Sequence, residues 1–350
     1  MNGGKAGDLP PISYVWQTSI RRPKRQPWDM PAAPGGKAVT PAMRSRLERI
    51  VARVPEVMVK VTGRTKGIAH LCSHLTYITR NGNLAAETET GVAMEGREGL
   101  RDLQARWSED VALDTKRANR TLSVNMILSM PPGTDGVKVR DAVRAFAIDT
   151  FEGRYDYAFV LHQDDVHPHV HLTVRAAGYD GRRLNPRKAD LHQWREQFAH
   201  ELRSRGIAAE ATPRRTRGQV RKADRGKVRA IKERGVQPRV ERQAREEVVQ
   251  TLSRDTAARP WEERIRQRQA DIRTRYLAFA EEMGRSADPA DRALSARIRG
   301  FVEEMPPLET RRHALREELA RISAFRRSQR EPLLRDGDRR YNMPEEDRSR

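Results

Sequence analysis

The chain has 350 residues, 68 of them Lys or Arg and 48 Asp or Glu, for a net charge of +20. Only 37% of residues are hydrophobic against 33% charged, too little apolar material for one core along the whole length, so a compact domain flanked by charged extensions is expected. No run of about eighteen apolar residues occurs, which argues against a membrane span, and the basic surplus points to a polyanion, nucleic acid first.

Residues 1–53 are rich in Pro, Gly and Arg and read as a basic, mostly flexible arm, with a short helical pattern near Ala42–Val54. Apolar patterning begins after it. Glu56–Thr62 alternates as a strand, with Val57, Val59 and Val61 on one face. Lys66–Arg80 carries Ile68, Leu71, Cys72, Leu75 and Ile78 at the spacing of one buried helical face, and Asn81-Gly82 stops it. Gly99–Val111 is a second helix, Arg120–Met130 a strand ended by Pro131-Pro132-Gly133, and Val137–Phe151 a third helix. Tyr155–Leu161 and Val170–Ala176 are strands joined too briefly to be parallel, so they form an antiparallel pair. A helix over Arg187–Arg205 and a short strand over Ile207–Ala211 complete an α+β domain at 54–212, an antiparallel sheet with helices on one side. Residues 213–350 open with ten Lys or Arg between Arg214 and Arg234, continue as charged helical sequence with sparse apolar positions, and end in a stretch that reads as disordered. The single cysteine, Cys72, forms no internal disulfide, and MNGGKAGDLPPIS lacks a signal peptide's apolar segment; both suit a cytoplasmic protein.

Four of the nine histidines fall within ten residues, His162-Gln-Asp-Asp-Val-His-Pro-His-Val-His171. Residues two apart on a strand share a face, so His169 and His171 can reach one ion while Val170 enters the core. His162 ends the neighbouring strand and can face the same point. Three imidazoles with open positions are what a catalytic divalent metal needs, Mg²⁺ or Mn²⁺ first and Zn²⁺ or Ni²⁺ as alternatives. Asp164 or Asp165 can act as a base or orient a ligand imidazole. Among seven tyrosines, Tyr77 stands out: it lies beside the apolar stripe of its helix, just before the Asn81-Gly82 stop.

The pattern His162-x-Asp164-x-x-His167-Pro168-His169-x-His171 resembles the His-hydrophobic-His signature of conjugative relaxases, the mobilization nucleases, in the group that includes broad-host-range plasmid relaxases and the agrobacterial T-DNA border nuclease. His74-Leu-Thr-Tyr77-Ile-Thr-Arg80 resembles the family's first motif, whose tyrosine is the nucleophile, and Leu128-Ser129-Met-Pro-Pro-Gly133 its second, whose serine helps hold DNA. The resemblance covers about residues 55–215 and departs in one respect, the long basic arm before the first motif. It implies strand-specific nicking and religation of single-stranded transfer-origin DNA through a 5′-phosphotyrosine intermediate, with His162, His169 and His171 as metal ligands. Tyr77 would be the attacking group and Asp164 or Asp165 its base; a phenol, titrating near pH 10 in water, needs such activation. Ser129 would contact the DNA backbone or cap a turn, and Arg182, Arg183, Arg187 and Lys188 would line the DNA groove or simply face solvent. Accessory proteins of the relaxosome, a coupling protein of a type IV secretion channel and export to a recipient cell attached to DNA are further implications, with residues 213–350 as the carrier of an export signal. Three alternatives remain: a rolling-circle replication initiator, whose tyrosine follows the histidine motif where Arg187–Arg205 here has none; a non-catalytic DNA-binding protein with a closed four-ligand metal; and a metal-dependent hydrolase that uses water.

Overall fold

A computed structural model describes residues 39–112, 120–219, 224, 226–252, 260–307 and 312–325. Most of the expected arm and the last twenty residues lie outside these described residues. In chain order the first elements are α1 (Pro41–Val51), β1 (Met58–Lys66), α2 (Ile68–Ile78), β2 (Ala86–Thr88), β3 (Ala93–Met94), α3 (Gly96–Ala112), β4 (Thr121–Ser129) and α4 (Gly136–Phe151). They are followed by β5 (Tyr157–His162), β6 (His169–Arg175), α5 (Lys188–Ser204), α6 (Gly226–Glu233), α7 (Arg239–Leu252), α8 (Pro260–Gly284) and α9 (Pro289–Glu303). The described residues form two compact units, one within residues 52–212 and the other from residues 39–51 with those described between 213 and 325.

The first unit is α+β, built on a six-stranded sheet of order β1-β4-β6-β5-β2-β3 in which every neighbouring pair is antiparallel. Strand alternation decides what each face carries. Val59, Val124, Met126, Leu128, Phe159, Val170, Leu172 and Val174 point to one face and bury against Val143, Phe146 and Phe151 of α4 and Trp194, Phe198 and Leu202 of α5. The opposite face receives α2 and α3: Leu71, Leu75, Ile78, Leu103 and Trp107 cover Ala158 and Val160. Helices therefore cover both faces, which corrects the expectation of helices on one side. The reason lies in β5, whose Tyr157-Ala-Phe-Val run is apolar at consecutive positions and so needs cover on both sides.

Three boundaries also differ. β1 runs on to Lys66 because its partner β4 accepts it in register as far as Thr121, although Gly63-Arg-Thr-Lys has no apolar alternation. Residues 207–211 add only one parallel bridge, Glu56 to Glu210, in place of a ladder strand. β2 and β3, of three and two residues, are too short to leave a periodic signal.

In the second unit the sparse apolar residues gather into a core of their own: Leu47 and Ile50 of α1, Tyr276, Phe279 and Met283 of α8, and Leu294, Ile298 and Phe301 of α9 are buried. Asp288 caps α9 by accepting from Ala290 N at 2.8 Å, with Pro289 at the first helical position. Arg44 donates to Asp291 at 2.6 Å. Among the described residues no helix is long and apolar enough to cross a membrane.

Candidate metal centre and its tyrosine

His162 and His169 are direct cross-strand partners at the loop end of the β5–β6 hairpin, and His171 lies two residues further along β6, opposite Val160 and Ile127. Register therefore puts all three imidazoles on the α2 side of the sheet. One ligating nitrogen from each lies within 4.8 Å of the others, and the ring centroids are 4.4–5.2 Å apart.

The protonation pattern follows from their hydrogen bonds. His162 is 1% exposed, and its Nε2–H donates to the carbonyl of Ile78 at 2.6 Å, which makes Nδ1, now approached by Arg80 Nη2 at 3.5 Å, the nitrogen that could take a ligand. His169 donates from Nδ1 to the carbonyl of His167 at 3.0 Å, leaving Nε2. Burial, reinforced by His162, His169, His74 and Arg80, pushes the His171 imidazole down to about 3, so it is neutral at physiological pH. Burial also lowers His162, against the pull of its bond to Ile78. Three imidazoles, each offering a ring nitrogen to one point, form a donor set that fits a divalent transition metal. His167 is exposed and serves through its backbone, so among the described residues the cluster counts three ligands.

The helix α2 brings Tyr77 to this cluster. Leu71, Leu75 and Ile78 bury at positions i, i+4 and i+7, which turns the neighbouring Tyr77 to the helix edge, 55% exposed. Its ring meets that of His171 edge-on, centroids 5.9 Å apart. The helix end is bolted in place by His162, which satisfies the Ile78 carbonyl left without an intrahelical donor. Beyond it Arg80 and Asn81 both take positive φ, 51° and 59°, a conformation that non-glycine residues rarely accept. This turn sends the Arg80 guanidinium back over the Tyr77 ring, 5.6 Å from its centroid, while Nη2 donates to Asp164 at 2.5 Å and lies 3.5 Å from His162 Nδ1. Desolvation opposes ionisation of Asp164, but the bond to Arg80, the Arg80 charge and a backbone hydrogen bond together hold the carboxyl below the usual range.

Asp164 also lies 3.8 Å from His162 Nδ1, so of the ligand histidines it is His162, and not His169, that has a carboxylate alongside. Asp165 accepts from the backbone N–H of Val166 at 2.7 Å and serves the hairpin turn. Ser129, buried at the end of β4, pairs in register with His169. Of the four basic residues, Arg182 and Arg183 do not gather with these groups. Arg183 donates to the carbonyl of Thr121, and Arg182 pairs with Asp180 at 3.6 Å. Thr121 begins the nine-residue β4 that Ser129 ends, which places this loop about 25 Å along the sheet from the imidazoles. Arg187 and Lys188 start α5, where the backbone N–H of Arg187 donates to Asp190 at 2.6 Å.

Beside Tyr77 and His171 an open groove of about 410 Å³ runs over β1 and β4, lined also by Thr62, Gly63, Arg64, His70, His74, Asn125 and Ile127. His74 Nε2 bonds to Thr173 Oγ1 at 2.9 Å, and burial, with His70 nearby, lowers its imidazole to about 4. The sequence places His74 and Arg80 at the ends of the first motif without a role for either, and nothing in it singles out Asn125. Arg80 and His74 had one available signal: each lies three residues from Tyr77, on the same side of α2 or in the turn that ends it.

Residues 77–206 match the family model of the relaxase MobA/VirD2-like nuclease domain, and the match begins at Tyr77 itself. The chain is 26% identical over 185 residues to the T-DNA border endonuclease VirD2 of Rhizobium radiobacter, covering 47% of this chain and 43% of that protein. It is 25% identical over 183 residues to the protein of the same name from Agrobacterium fabrum, covering 47% and 41%. The matched region thus spans less than half the length of these relatives. A hairpin-borne histidine cluster, an antiparallel sheet clad on both faces and the matched stretch agree on one conclusion: residues 77–206 are similar to the nuclease domain of the relaxases, or mobilization nucleases.

Proposed function

We propose that this protein nicks and rejoins one DNA strand at a transfer origin, as the name of the border endonucleases it is similar to suggests, and that Tyr77 is the attacking group. The observation that carries the reading is the edge-on approach of an exposed tyrosine to a buried imidazole of the triad, 5.9 Å between rings. His162, His169 and His171 would hold the metal, and the all-imidazole donor set suits Mn²⁺, Zn²⁺ or Ni²⁺ better than Mg²⁺, which prefers oxygen ligands and retains water. A bound divalent ion supplies charge stabilisation at the phosphate in flight.

The chain's own residues account for the rest. The Tyr77 oxygen forms a bond to phosphorus as the bond from phosphorus to the 3′ oxygen breaks. The phenolic proton leaves, and the 3′ oxygen departs as a hydroxyl. One phosphodiester replaces another, so the step is close to thermoneutral and reverses for rejoining. Arg80 lies over the Tyr77 ring as a cation–π partner and would hold that ring in place at the cluster. Asp164, ionised and pinned by Arg80, sits where it can steer His162 or take a proton through water. Asp165 is engaged in the turn, which favours Asp164 for that role. Ser129, beside His169, would bond the DNA backbone. Arg182 and Arg183 would serve DNA lying well away from the cut, and Arg187 and Lys188, at the start of α5, would contact the DNA backbone.

Residues 54–212 would perform this chemistry, and residues 213–350 would engage accessory and coupling proteins of a type IV secretion channel, in a cytoplasmic protein carried to the recipient on its DNA. The test incubates the protein with labelled single-stranded origin DNA and Mn²⁺ and looks for a covalent adduct on a denaturing gel. Loss of the adduct in Tyr77→Phe and in His169→Ala supports the reading. Cleavage that survives Tyr77→Phe would point instead to attack by water.

A further inference from the structure

The groove next to Tyr77 has a floor as well as walls. Asn125, 5% exposed, sits on β4 beside Thr173 of β6, two residues along from the Ile127–His171 pair and so about 7 Å from the His171 register. Its carboxamide is held by a buried relay: Thr65 and Ser123 share a hydroxyl–hydroxyl bond of 2.6 Å, and Ser123 Oγ donates to Asn125 Oδ1 at 2.8 Å. With Oδ1 engaged from below, the two Nδ2 donors are left for the groove that Asn125 lines.

The strand opposite leaves that amide uncovered. β1 slips register between Val61 and Gly63, and the slip sets Gly63, with no side chain, directly across from Asn125. A Cβ added at Gly63 would meet nothing within 4 Å, and its φ is not among the positive values, so neither crowding nor backbone strain accounts for the glycine. Ile127 adds an apolar surface next to the amide, and Arg64, exposed on the same lip, adds a cation. An oriented amide donor, an apolar patch and a cation in a groove of about 410 Å³ match the three parts of one nucleotide: base edge, base face and phosphate.

We propose that this groove seats the nucleotide adjoining the phosphate at Tyr77 and that Asn125 reads its base, so that part of the sequence preference resides on the sheet floor. The inference rests on the nicking reading for its substrate class, single-stranded DNA. A pool of single-stranded oligonucleotides with randomised positions is bound to the full-length protein, recovered and sequenced, without any requirement for cleavage. The wild type is expected to enrich one base at one position by about tenfold, the discrimination one good amide–base contact supplies. Asn125→Ala, and separately Gly63→Val, which fills the space above the amide, should flatten that position alone, with melting temperatures near that of the wild type. A wild-type pool with no preferred base, or a preference that both variants keep, would overturn the proposal. Failure of the nicking reading is seen separately, as a wild type that selects sequences yet forms no tyrosyl adduct.

Discussion

Arg80 is the residue whose position says most about the chemistry. It accepts an unfavourable backbone conformation, φ 51°, in order to touch Tyr77, Asp164 and His162 together, and strain of this kind is usually maintained where a site requires it. Replacing it with Ala is expected to slow single-turnover nicking about 100-fold, the scale of one lost charge-stabilising donor, while DNA affinity changes by less than threefold. Equal loss of rate and affinity would reduce Arg80 to a phosphate clamp. His74 gives a prediction of a different kind. Its folded-state pKa, about 4, lies below the ordinary 6.5, mainly through burial. Above pH 6.5 both folded and unfolded forms are neutral and stability is unaffected. As pH falls towards 4 the unfolded chain takes a proton that the folded one refuses, so stability is lost across that window. Thermal melts of His74→Gln should show a shallower decline than the wild type between pH 6.5 and 4, and parallel curves would contradict the assignment. The histidine cluster was legible in the sequence because strand spacing is strict. Arg80 was not, since its approach depends on a left-handed turn that no periodicity announces.

At the level of elements, the site is made by joining the end of α2 to the end of β5. The turn after α2 must be tight for this, and Gly82 provides it with φ 85°, so close to the neighbouring chain that an added Cβ would lie 2.4 Å from the Gly96 carbonyl oxygen. Gly82→Ala is therefore expected to destabilise the protein by about 1–3 kcal/mol, measured by urea unfolding. A change within 0.5 kcal/mol would mean the turn relaxes freely. The same turn shows why the sequence carried the element order but only part of the sheet. Asn81-Gly82 marks the helix stop plainly, whereas β2 and β3, paired at the sheet edge beyond it, are too short for alternation to register. The two-sided cladding was likewise readable only in β5, where consecutive apolar residues replace alternation.

For the molecule as a whole, the two units answer to different constraints. The first has enough apolar sequence to bury both faces of a sheet. The second folds from Arg- and Glu-rich helices whose few apolar residues, Tyr276, Phe279, Ile298 and Phe301 among them, are spent almost entirely on one helix pair with α1. Composition pointed to charge in this stretch, and a core assembled from widely spaced positions was invisible to it. Because the histidines, Tyr77 and the groove all belong to the first unit, truncation near residue 215 should leave oligonucleotide nicking within about tenfold of the full chain while transfer between cells drops. A truncated protein that folds and does not nick would contradict this division.

Nicking as proposed depends on a phenol on α2 exchanging its proton for a DNA phosphate. Digesting the protein after reaction with single-stranded origin DNA and Mn²⁺, then mapping the DNA-bearing peptide by mass spectrometry, tests it most directly. The expected product is a nucleotide linked through a 5′ phosphate to Tyr77, with a free 3′-hydroxyl on the released fragment; cut DNA with every Tyr77 peptide unmodified would rule out Tyr77 as the attacking group.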